Sequence, residues 1–108
     1  NMYFYDFNRI EFKKKRERVY LKSITGENSQ ICIMRLTPGE ATDHSHPQEQ
    51  LGYVLSGSVE IFVEQEKKIL GPGEGYHIPG GARHGFTVGD EPVEYLEIFC
   101  PPKEENAL

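Results

Sequence analysis

The chain has 108 residues, with 12 basic and 17 acidic side chains and a formal net charge of −5. That length is one domain's worth, and the acidic balance argues against a nucleic-acid-binding face. No apolar run approaches the roughly 18 residues of a membrane helix.

Eleven Gly and seven Pro, spread between short apolar runs, imply many turns and therefore many short strands. The start, Asn1-Met2-Tyr3-Phe4, lacks a basic region followed by a long apolar stretch, so no signal peptide is expected. Asn1 ahead of Met2 reads as an expression scar. Cys32 and Cys100 lie far apart in apolar runs, and two free thiols in a reducing cytoplasm are the expectation.

Residues 1–18 are polar-rich, with Phe4, Phe7, Ile10 and Phe12 as apolar anchors, and read as an arm or an edge strand. The basic run Lys13-Lys14-Lys15-Arg16 is diluted by Glu11 and Glu17 and reads as a solvated edge. Strands are expected from Val19 onward. Residues 19–24 form the first, closed by the polar loop Thr25-Gly26-Glu27-Asn28-Ser29. Residues 30–36 follow and end at Pro38-Gly39; residues 50–56 turn at Ser56-Gly57-Ser58 into 59–64. In that segment Val59, Ile61 and Val63 alternate with Glu60, Phe62 and Glu64. Residues 67–70, 76–78, 85–88 and 93–100 complete the set, separated by Gly- and Pro-containing turns. No helix of three turns is predicted. About eight or nine evenly spaced strands indicate a sandwich or barrel. Residues 19–100 are assigned to the barrel and 101–108 to a polar tail.

The histidines are not scattered. His44 and His46 are two apart, so in extended chain both project to one face. Gln50 follows four beyond His46, past Pro47, and its carbonyl can supply a third ligand. The turn Pro79-Gly80-Gly81 can deliver His84 from a neighbouring strand. Glu49 is the alternative to Gln50, but strand parity turns it to the other face. His77 matches no ligand position and is expected at the surface or rim.

These segments resemble the paired motifs of the cupin superfamily. The first motif reads Gly39, His44, His46, Gln50 and Gly57; the second reads Gly73, Pro79, Gly81 and His84. Gln50 stands where the family has an acidic ligand, Val88 where it has Asn, and Gly39 to His44 is one residue short. The resemblance implies an all-β, single-domain cupin (jelly-roll) barrel holding one divalent metal ion through His44, His46, Gln50 and His84. Zn, Ni, Fe, Mn and Co all suit such N/O ligation. With neutral ligands the ion keeps its full charge, which makes a stronger Lewis acid.

The end of the chain, Leu96-Glu97-Ile98-Phe99-Cys100-Pro101-Pro102-Lys103, resembles small cupins of pectin breakdown that convert unsaturated uronates to linear keto sugars. That family carries Asp, Phe and Arg where this chain has Glu97, Phe99 and Lys103. The resemblance implies Glu97 as acid or base, Lys103 on the substrate carboxylate and Phe99 as sugar platform. Glu is one methylene longer than Asp, and Lys lacks the fork of Arg. The plain alternative makes Phe99 a core residue and Glu97 and Lys103 surface charges. Arg35, Tyr53, Tyr76 and Arg83 are further pocket candidates.

The expected function is a metal-dependent isomerase- or lyase-like reaction on a small, oxygen-rich sugar acid. A second expectation is an Fe- or Mn-dependent dioxygenase with Phe62 and Phe86 shaping an apolar pocket; a third is a non-catalytic metal-dependent binding module. A small-molecule substrate, no nucleic acid, no membrane and a homodimer complete the expectations, the N-terminal arm adding a strand to a partner's sheet.

Overall fold

The computed structural model describes residues 2–108, and they form nine strands in two antiparallel sheets. The strands are β1 (Lys13–Arg16), β2 (Val19–Thr25), β3 (Gln30–Leu36), β4 (Glu49–Ser56) and β5 (Val59–Val63). They continue with β6 (Glu66–Leu70), β7 (Gly75–Ile78), β8 (His84–Thr87) and β9 (Val93–Cys100). One sheet runs β1-β2-β3-β9-β4-β7 and the other β6-β5-β8. This is the jelly-roll architecture that the strand spacing and the motifs predict.

Period-two burial places the core. Along β9, Val93, Tyr95, Glu97 and Phe99 are buried and the residues between them are not. Along β3 the inward set is Gln30, Cys32, Met34 and Leu36. Register then stacks these into rows across the sheet. Met34, Tyr95 and Val54 form one row; Cys32, Glu97, Gly52 and Tyr76 the next; Gln30, Phe99, Gln50 and Ile78 the third. The first row is mostly apolar and roofed by Val59, Ile61 and Phe86 of the smaller sheet. The other two rows carry polar groups into the interior, so the fold builds a polar end onto an apolar core.

Gly52 is needed in its row. A Cβ there would overlap the Tyr76 ring, so only glycine lets that phenol cross the strand toward Glu97.

Two segments behave differently from their sequence appearance. The basic run is not merely solvated: it is the edge strand β1, paired antiparallel with β2 through a register shift, and Lys15 is turned inward. The tail is not merely polar. Lys103 and Asn106 are buried, and the Ser23 hydroxyl donates to the Asn106 carbonyl at 2.6 Å. Ahead of β1 a one-turn helix, Phe7–Arg9, is capped by Asp6, and Lys22 donates to the Phe7 carbonyl at 2.6 Å. No described helix is long and apolar enough to cross a membrane.

The two thiols are unpaired and differ in character. Cys32 is fully buried, and burial pushes its pKa up to about 12; Cys100 is exposed. Native protein treated with a maleimide at neutral pH should therefore label at Cys100 and spare Cys32 until denaturant is added. Mass spectrometry of the digested adduct reads this directly; labelling of both thiols in the native state refutes it.

Candidate metal centre

His44 and His84 face each other across an isolated antiparallel bridge, exchanging both backbone hydrogen bonds at 2.9 Å. Side chains of a directly opposed pair lie on one face. His46 follows two residues later on the same face. The turn that delivers His84 docks on the turn that follows His46: the Gly81 N–H donates to the His46 carbonyl at 2.8 Å. Gly81 has φ +83°, a left-handed conformation that glycine adopts without steric penalty, and a Cβ on Gly80 would overlap the Pro47 carbonyl. These contacts explain the histidine, proline and glycine spacing in physical terms.

The three imidazoles offer ligand atoms that all lie within 4.8 Å of one another. Their ring centroids are 4.6 to 5.2 Å apart. Burial, the first cause in each case, lowers all three pKa values, that of His44 to about 4. Neutral rings with free lone pairs therefore converge at neutral pH.

Second contacts fix which nitrogen is free. His46 Nδ1 lies 3.0 Å from the Gln48 carbonyl and His84 Nδ1 lies 2.9 Å from the Ala82 carbonyl. A carbonyl only accepts, so both Nδ1 atoms carry the proton and both Nε2 atoms carry a lone pair. His84 Nε2 is buried and has no hydrogen-bond partner among the described residues. His46 Nε2 faces Gln50 Oε1 at 3.0 Å. The Gln50 amide nitrogen donates to Glu97 Oε2, which orients its carbonyl oxygen toward the histidines. Two lone pairs at that separation repel unless a proton or a cation lies between them. Burial disfavours the proton. The three histidines therefore have the chemistry that suits a cation, with the Gln50 carbonyl oxygen beside them.

Gln50 is 3 % exposed, on the inward face, while Glu49 points out and meets His77 at 2.8 Å. Parity had separated these two correctly, and His77 is a surface residue. Glu97 is 3 % exposed and Lys103 6 % exposed, so neither is a surface charge. Glu97 accepts from Gln50 and from the Tyr76 hydroxyl at 2.7 Å. Burial raises its pKa to about 7, with Tyr76, Lys103 and Lys15 acting in the opposite direction. Phe99 is both core and cavity wall: it meets His46 edge-on at 5.9 Å and underlies the Lys103 ammonium at 5.5 Å.

His44, His46, Gln50, Glu97, Phe99 and Lys103 line one cavity of about 50 Å³, shared with Lys15, Arg16 and Phe86. Of the further pocket candidates, Tyr76 joins the site through Glu97. Arg35 pairs with Glu94, Arg83 with exposed Asp43, and Tyr53 is half-exposed. Phe62, expected beside Phe86, lies instead beneath the Arg83 guanidinium. Lys15 carried no signal of its own in the sequence, because one lysine in a basic run looks like the next.

The Cupin domain family matches residues 32–99, which is more than half of the chain and includes both motifs. The chain belongs to the cupin family. This cupin is 29 % identical over 76 residues to the pectin degradation protein KdgF of Dickeya dadantii, covering 69 % of each chain. The structure of KdgF from Halomonas sp. superposes with a TM-score of 0.88 at 22 % identity, covering 95 % of this cupin and 98 % of that chain. Oxalate decarboxylase of Bacillus subtilis, in a study of its Mn(II) centres, superposes with a TM-score of 0.77 at 23 % identity. That match covers 90 % of this cupin and 29 % of the longer chain.

Proposed function

We propose that the cavity holds one divalent metal ion through His44, His46, Gln50 and His84 and acts on a small sugar acid, opening an unsaturated uronate to its linear keto form. The observation that carries this reading is the arrangement around Gln50. One face of its amide meets the imidazole lone pairs, and the other is held by a buried carboxylate inside the same cavity.

When bound, the ion polarises substrate oxygens as a Lewis acid. The chain's own groups do the rest. Glu97, with a pKa raised to about 7, can hold or release a proton near neutral pH. That is the property a group needs to protonate the ring double bond or to take the proton from the hydroxyl that opens the ring. Phe99 gives the sugar an apolar wall, and Lys103 faces its carboxylate. Similarity to a pectin degradation protein supports the substrate class. Zn, Ni, Fe, Mn and Co all suit the N/O donor set.

The experiment is to incubate the metal-loaded protein with the unsaturated product of a pectate lyase, following loss of the conjugated absorbance together with dissolved oxygen. Faster loss of absorbance without oxygen uptake is the expected result. Oxygen uptake would mark a dioxygenase instead, and no acceleration with any of the five metals would leave a binding module.

A further inference from the structure

The cavity contains a cluster of charge that the metal reading does not use. Lys15 enters it from β1 and Lys103 from the folded-back tail. Lys103 is fixed by its backbone: its N–H donates to Gln30 Oε1 at 3.3 Å, and its carbonyl accepts from Gln30 Nε2 at 3.0 Å. Among the described residues its ammonium makes no hydrogen bond and opens to the cavity, although the residue as a whole is 94 % buried; the carboxylate within ion-pair distance is Glu105, at 3.9 Å, and Glu97 faces it from the same cavity. Lys15 donates to Asn106 Oδ1 at 2.7 Å and lies 3.6 Å from the same Glu105 oxygen.

A single carboxylate oxygen is thus placed between two ammonium groups and is too far from both to hydrogen-bond. The Glu105 side chain is 60 % exposed, so water competes for it and the contact contributes little. The lysines sense each other: after burial, the charge of Lys103 is the largest cause lowering the Lys15 pKa. Two ammoniums, partly buried beside neutral imidazoles, leave the cavity with excess positive charge that Glu97 alone does not balance. Two like charges that face one cavity repel each other, and an anionic ligand between them relieves that repulsion.

We propose that Lys15 joins Lys103, already assigned to the substrate's carboxylate, to make a two-ammonium clamp, and that Glu105 occupies this clamp in the free protein as an internal competitor displaced on binding. The proposal rests on reading the cavity as a substrate site and does not require the metal.

The test is calorimetric titration of the protein as purified, and again after chelation, with galacturonate, pyruvate and neutral galactose. Lys15→Met should weaken carboxylate binding about tenfold, the loss of one charged hydrogen bond. Glu105→Gln should tighten it several-fold, which a misfolded variant cannot mimic. Galactose should bind at least about tenfold more weakly than galacturonate. Unchanged affinity in Lys15→Met, weaker affinity in Glu105→Gln, or no carboxylate binding to the wild type each overturns the clamp. If pyruvate shows the Lys15 and Glu105 dependence and galacturonate does not bind, the clamp stands and the uronate reading falls.

Discussion

Replacing His84 with Ala should abolish divalent-metal binding and with it any metal-dependent rise in thermal stability. A ligand that binds only the folded state at a hundredfold excess over Kd stabilises by about 2.7 kcal/mol. For a domain of this size that is a rise in Tm of roughly 10 °C or more. The variant should lose that increment whichever of the five metals is added. His84 is fully buried, so its removal also leaves a cavity and lowers the metal-free midpoint by itself. His44 separates the two effects, because it lies at the open side of the cluster and its removal leaves no enclosed cavity as that of buried His84 does. His44→Ala should leave the metal-free midpoint near wild type and still lose most of the metal increment. If His84 were only a core residue with an unpaired nitrogen, the result would differ. His84→Ala alone would be destabilised, and His44→Ala would respond to metal as the wild type does. Elemental analysis of the purified proteins gives a second reading: about one equivalent in the wild type, and little in either variant.

The fold was largely legible because alternation and punctuation agree. Val59, Ile61 and Val63 face inward as their spacing requires, and turns fall where Gly and Pro cluster. The convergence of the histidines was legible for a similar reason, since His44, His46 and His84 sit at spacings that a strand and a tight turn convert into one cluster. Other features were hidden by the kind of information they need. Glu97 shares the inward parity of Val93, Tyr95 and Phe99, but whether Lys103 is buried depends on how the tail packs, and no local pattern shows a tail folding back over β2 and β3. Inward placement of Lys15 depends on the register of β1 against β2, which a run of four like charges cannot specify. Phe62 illustrates the converse: parity put it opposite Ile61, and pairing it with Phe86 in one pocket ignored that parity. For Lys15 and the tail the missing quantity was long-range register and packing, whereas for Phe62 the local parity was already sufficient.

Glu97→Gln should lower turnover by about 10²- to 10⁴-fold while changing metal affinity little. Gln keeps an oxygen that can accept from the Gln50 amide and from Tyr76, so the Gln50 carbonyl stays turned toward the histidines. What it loses is a group that exchanges a proton near neutrality. Glu97→Leu removes the acceptor as well. Gln50 is then free to rotate its amide, and metal affinity should fall by about 10- to 100-fold, as when an outer partner of a ligand is lost. The pair separates chemistry from positioning. Turnover lost in both variants with metal lost only in Glu97→Leu identifies Glu97 as the proton-handling group. Near-normal turnover in Glu97→Gln would reduce Glu97 to a brace for Gln50 and move the proton to another donor in the cavity. Equal loss of metal in both would mean that Gln cannot substitute as acceptor and that the charge of Glu97 itself holds the amide in place.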